Sequence, residues 1–97
     1  MFTNEEVLLL QSAVETYNDE DRMALDYDLQ TALAQSCLAK IKQYSPLTYF
    51  TKQEFTFMAM SVNFIVSTID LMPSAQRDKK LYKSLLALFD RLCTLAS

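Results

Sequence analysis

The 97-residue chain contains no glycine, no histidine and no tryptophan, and only two prolines and two cysteines. Each absence removes a class of function. Without glycine there is no phosphate-cradling loop. A Ca²⁺ loop starting at Asp19 and Asp21 would have Ala24 where glycine is needed and Gln30 where the bidentate Glu belongs. Without histidine, Ser and Cys lose their usual general base, and the Glu-x-x-His ligand pairs of di-iron bundles cannot form. Long apolar runs are also missing. Phe55 to Ile69 is fifteen residues without a charge, too short for a bilayer and interrupted by Ser61, Asn63, Ser67 and Thr68. The N-terminus has no basic region and does not read as a signal peptide. No membrane contact is expected.

What is present is a helical sequence. Hydrophobic residues make up 51% of the chain and charged ones 22%, which excludes a disordered tail; with no glycine, a turn-rich all-β fold is excluded too. A chain of this length buries roughly 60–65% of its unfolded surface, enough for one core. The net charge is −3, so there is no general attraction for nucleic acid. Cys37 and Cys93 fall in apolar helical rows and read as two small buried thiols of a cytoplasmic protein.

Periodicity and caps divide the chain into one domain over 1–97 with four helices, at about 4–17, 22–43, 52–72 and 75–95. Thr3 with Glu6, and Thr51 with Glu54, have capping-box spacing. Asn18 to Asp21 breaks the first apolar pattern with residues that suit turns and N-caps. Ser45-Pro46 ends the second helix, Pro73 stops the third, and Ser74 is the expected cap of the fourth. In helix 3, Phe55, Met58, Val62, Ile65, Ile69 and Met72 form a core stripe, with Phe57, Met60, Phe64 and Leu71 beside it. Its polar line is narrow: Lys52, Thr56, Asn63 and Asp70, with Ala59 and Val66 among them. In helix 4, Leu81, Leu85, Leu88, Leu92 and Leu95 form one stripe. Short connections favour an all-α, antiparallel up-down-up-down four-helix bundle with helix 3 the most buried.

Two regions carry possible contacts. Asp19, Asp21, Asp26 and Asp28, with Glu15 and Glu20, read first as a solvated turn with acids at a helix N-terminus. Their second reading is a surface for a basic partner. Asp26 and Asp28 diverge by roughly 200° on a helix, which defeats a shared acid–base pair. In the bundle these acids would neighbour the cluster of Arg77, Lys79, Lys80 and Lys83. That cluster is too small for nucleic-acid binding in an acidic chain. The connection 44–50 is unusually apolar. Leu47, Tyr49 and Phe50 either plug the end of the bundle or, for Tyr49 and Phe50, stand exposed as anchors for a partner.

The expected function is therefore that of a small cytoplasmic protein-interaction or regulatory module. It would bind another protein or itself as a homodimer, with no catalytic residue, metal or cofactor. The alternative is a binder of a small apolar ligand in a pocket between helices 2, 3 and 4, lined by Phe57, Met60, Phe64 and Phe89.

Overall fold

A helix begins where its first amides find acceptors, and two of these starts are fixed by the same device. In the computed structural model, which describes residues 2–20, 27–72 and 78–97 (side chains at 19–20 and 27–30 apart), the Thr3 amide donates to Glu6 Oε1 at 2.9 Å and the Glu6 amide to Thr3 Oγ1 at 3.1 Å. Helix α1 follows, Asn4–Glu20. The same reciprocal pair joins Thr51 and Glu54 at 2.9 and 3.1 Å and opens α3, Lys52–Asp70. Each box satisfies two amides that helix geometry leaves without partners. Between them lies α2, Tyr27–Lys42, and α4 spans Lys79–Ala96. The described residues are all helix and connection, with no strand.

Three boundaries differ from those read in the sequence. Helix α1 continues through Asn18, Asp19 and Glu20, which local propensity assigns to a turn. The ring of Tyr17 is held there against Phe57 and Phe64, both at 5.6 Å, so tertiary packing supports a turn of helix that propensity alone would not. Helix α3 ends at Asp70, two residues early, leaving Leu71 and Met72 exposed. Helix α4 starts at Lys79, capped by Asp78, whose carboxylate accepts the Leu81 amide at 3.1 Å. Asp78 also immediately precedes the turn that brings the first residue of the apolar stripe, Leu81. Pro73 and Ser74, the basic Arg77, and the 21–26 segment with Asp21 and Asp26 lie outside the described residues.

The four helices share one core, and their contacts fit a bundle. Helix α3 touches each of the others, most extensively α4 and then α1. Leu10, Val14, Cys37, Met58, Val62, Leu85, Leu88 and Leu92 are fully enclosed. The Leu85–Leu88–Leu92 stripe sits at the three- and four-residue steps read from the sequence. Ser61 is buried too, and its hydroxyl donates to the Phe57 carbonyl at 2.9 Å, which removes the cost of enclosing it. Ala59 and Val66, expected on the outer line of α3, are buried instead.

Aromatic rings close one end. Phe50 packs on Phe55 at 5.6 Å and on Phe2 at 6.4 Å, and Phe2 packs on Tyr44 at 5.7 Å. The Phe2 amide donates to Tyr44 Oη at 2.9 Å. Two cations lie over these rings, Lys40 over Phe50 at 5.7 Å and Arg91 over Phe2 at 5.0 Å. The connection 44–50 therefore contributes Phe50 and Tyr44 to the plug. Leu47, expected there, is 93% exposed and Tyr49 is 76% exposed. A turn at Ser45–Thr48, closed by the Thr48 amide on the Ser45 carbonyl at 3.0 Å, carries Leu47 outward.

Candidate functional site

Glu54, Lys40 and Ser36 form a polar brace at the corner between α2 and α3. Glu54 is 3% exposed. Its carboxylate accepts from Lys40 Nζ at 2.6 Å, Ser36 Oγ at 2.8 Å and the Thr51 amide at 2.9 Å. Burial raises its pKa, but these donors, Lys40 foremost, outweigh burial and hold it below the ordinary carboxylate value. Cys37 lies beside it, its thiol 3.9 Å from the Glu54 carbonyl oxygen. Burial pushes that thiol up to about 12, and the Glu54 charge adds to the effect. A carboxylate held by three donors makes a poor base, and a thiol so raised makes a poor nucleophile. The cluster fits fold bracing rather than chemistry.

A weaker counterpart joins α1 to α4. Arg91 Nη1 donates to Glu6 Oε2 at 2.6 Å, with both side chains partly in water. Burial again raises the Glu6 pKa; the Thr3 amide and Arg91 lower it further than burial raises it.

The surface least explained by folding is the outer junction of α3 and α4. Steps of four and three residues bring Thr56, Met60 and Asn63 to one face of α3, and Phe89, Cys93 and Ala96 to one face of α4. Together with Ala59 and Ser97 they line an open groove of about 360 Å³. Ala59, on a nominally outer line, is buried at this junction and lines the groove. None of the lining side chains is charged. The Thr56 hydroxyl donates to the Lys52 carbonyl and the Ser97 hydroxyl to the Cys93 carbonyl, both at 2.9 Å. With those hydroxyls turned back on their own helices, the groove presents mostly carbon and sulfur. Met60 is 49% exposed and Asn63 offers an amide midway.

The sequence-derived candidates are placed differently from one another. Tyr49 is exposed, whereas its neighbour Phe50 is a core ring. Asp19 lies on α1 and Asp28 on α2. Asp21 and Asp26 are outside the described residues, so the acidic surface and its expected juxtaposition with the Arg77 cluster are not on view. Of the four residues expected to line an apolar pocket, Met60 and Phe89 line the groove, while Phe57 and Phe64 pack on Tyr17 of α1. Cys93, expected to be buried, is exposed and borders the groove; Cys37 alone is enclosed. Among the described residues no group of three acidic or thiol side chains is placed to hold a metal ion. No described helix is long and apolar enough to cross a membrane.

No family model matches the chain, and no curated protein or solved structure is significantly similar to it.

Proposed function

We propose that the protein is a small helical interaction module that works by docking a partner on the α3–α4 face, without catalysis of its own. In this reading the helices run up-down-up-down, with neighbours antiparallel and α3 the most buried. Two pairings support that order. The last turn of α2 meets the first turn of α3 through Lys40 and Glu54, and the first turn of α1 meets the later part of α4 through Glu6 and Arg91. The two unbridged thiols support a reducing, cytoplasmic setting.

The observation that carries the reading is the groove itself, an apolar channel without a charged lining residue on a chain with 22% charged residues. An apolar face of this kind is where a partner side chain is best buried. Tyr49, exposed on the 44–50 connection, is a second candidate contact; Phe50 supports the connection from inside. The acids Asp19, Asp21, Asp26 and Asp28 are a further surface for a basic partner.

Cys93 supplies the test. A photoreactive group attached to it borders the groove while Cys37 stays enclosed. Irradiation in the native host is expected to give protein adducts that disappear in Met60→Glu and persist in Asp28→Asn. Adducts unaffected by Met60→Glu, or none at all, would overturn the groove as the docking face.

The groove volume also lies within the range of small-ligand sites. As a second reading, a small apolar molecule occupies it against Met60 and Phe89. Its wide opening to water favours a partner's side chain, which brings its own cover. Saturable shifts of the Met60 methyl resonance with a small aromatic probe would favour the ligand instead.

A further inference from the structure

The outward face of α3 carries a charge pattern that its own helix does not explain. Lys52, Thr56, Met60, Asn63, Ser67 and Asp70 are all exposed, at steps of four, four, three, four and three. Lys52 and Asp70 are eighteen residues apart, five helical turns, so they share one face about 27 Å apart along the axis. Lys52 opens the helix and Asp70 closes it. Both charges oppose the helix dipole, which favours acids at the start and bases at the end. The stripe between them is uncharged and flanks the groove.

We infer that this face docks a second copy of the same chain, α3 against α3 in antiparallel register. The proposal rests on the reading of the α3–α4 face as a docking surface and adds its occupant. Charge decides the orientation. A parallel pair would set Lys52 against the partner's Lys52 and Asp70 against the partner's Asp70. An antiparallel pair with its two-fold axis between Met60 and Asn63 sets Lys52 beside the partner's Asp70, twice, and Thr56 beside the partner's Ser67. The same arrangement puts each Lys52 at the negative end of the opposing dipole and each Asp70 at the positive end, so charges that work against their own helix favour the other. Met60 then reaches the partner's groove, where the Phe89 ring borders it. An unbranched thioether adapts to such a space and contacts an aromatic edge favourably. Such a two-fold contact is isologous and closes at two copies. Asp70 already accepts from Tyr82 Oη at 2.7 Å, so its part in the contact is carried by charge rather than by a new hydrogen bond.

Sedimentation of the purified full chain over a concentration series tests this, with circular dichroism confirming that each variant is folded. The wild type is expected to form a dimer that weakens as salt is raised. Lys52→Glu turns two attractive pairs into two repulsive ones and should raise the dimer dissociation constant on the order of tenfold. Asp70→Lys should do the same, and the double swap Lys52→Glu with Asp70→Lys should restore the wild-type constant. Both swaps suit the α3 dipole; Asp70→Lys also removes the Tyr82 hydrogen bond, so Lys52→Glu, which breaks none, is the variant that separates lost pairing from lost folding. A wild type that stays monomeric throughout overturns the second copy as occupant, while the Cys93 adducts report separately on the groove. A dimer lost in Met60→Glu but indifferent to the charge swaps overturns the antiparallel register and leaves the groove reading standing. A dimer indifferent to all of these variants overturns both.

Discussion

Glu6 and Glu54 hold the same position three residues into a helix, make the same reciprocal cap and receive the same kind of cation from another helix. Water distinguishes them. Removing Glu54 leaves Lys40, Ser36 and the Thr51 amide without their acceptor in a nearly closed corner, so Glu54→Ala should cost about 2–4 kcal/mol. Glu6→Ala, at a pair partly screened by solvent, should cost about 1 kcal/mol. Urea midpoints at constant slope measure both. Both carboxyls are held below their ordinary value of 4.5. A lowered folded pKa contributes stability that is fully present above the unfolded value and is lost as pH falls through the folded one. Unfolding midpoints should therefore drop below about pH 4.5, and Glu54→Gln should flatten that drop. The thiols offer a residue-scale check of another kind. One equivalent, the exposed Cys93, should alkylate in the folded protein, while the buried Cys37 should react only after unfolding, as intact-mass measurement would show. Both caps were legible because Thr-x-x-Glu spacing is local. The cations were not, since Lys40 lies 14 residues from Glu54 and Arg91 lies 85 from Glu6, and only the tertiary fold decides such pairings.

At the scale of elements, periodicity located every helix, and local propensity misplaced some of their ends. The Leu stripe of α4 is readable because burial follows a fixed angular step. Its start is less so: Ser74 after a proline and Asp78 before two lysines are both good caps in isolation. The distinction lies in where the apolar row begins, at Leu81. Asp78→Ala should cost about 1 kcal/mol by chemical denaturation. The 44–50 connection mixes an inward and an outward aromatic in adjacent positions, which no composition rule separates. Phe50→Ala should cost about 3–4 kcal/mol, because its ring sits among Phe2 and Phe55. Tyr49→Ser should change stability by less than about 0.5 kcal/mol, and thermal melts of the pair would show the contrast. Equal losses would mean that the connection packs as a single unit. The groove was half visible. Met60 and Phe89 were expected to line an apolar pocket, though between helices 2, 3 and 4 and with Phe57 and Phe64, whereas Thr56, Asn63 and Ala59 read only as the narrow outer line of α3. Small or hydroxylated side chains reveal a groove only once the neighbouring helix is in place.

At the scale of the whole molecule, charge is arranged more pointedly than its net value suggests. Residues 1–50 carry eight acids and three bases, and residues 51–97 four acids and six bases. Within that asymmetry the α3–α4 groove is neutral. If the face pairs with itself, the melting temperature must rise with protein concentration, since association stabilises only the folded chain. Calorimetry at two well-separated concentrations should show an increase in the wild type that is absent in Met60→Glu.

The clasp between Glu6 and Arg91, with Phe2 under the guanidinium, has a further implication for how the protein is made. On the ribosome, the segment that steadies the opening helix emerges after nearly all the rest of this sequence. Until then the leading turn has its internal cap and the contacts of Phe2 with Tyr44 and Phe50, but lacks the guanidinium that pairs with Glu6 and lies over the Phe2 ring. The clasp thus forms only when α4 clears the exit tunnel, and a nascent chain stalled before Arg91 should be more sensitive to protease at the first turn of α1 than one that includes it.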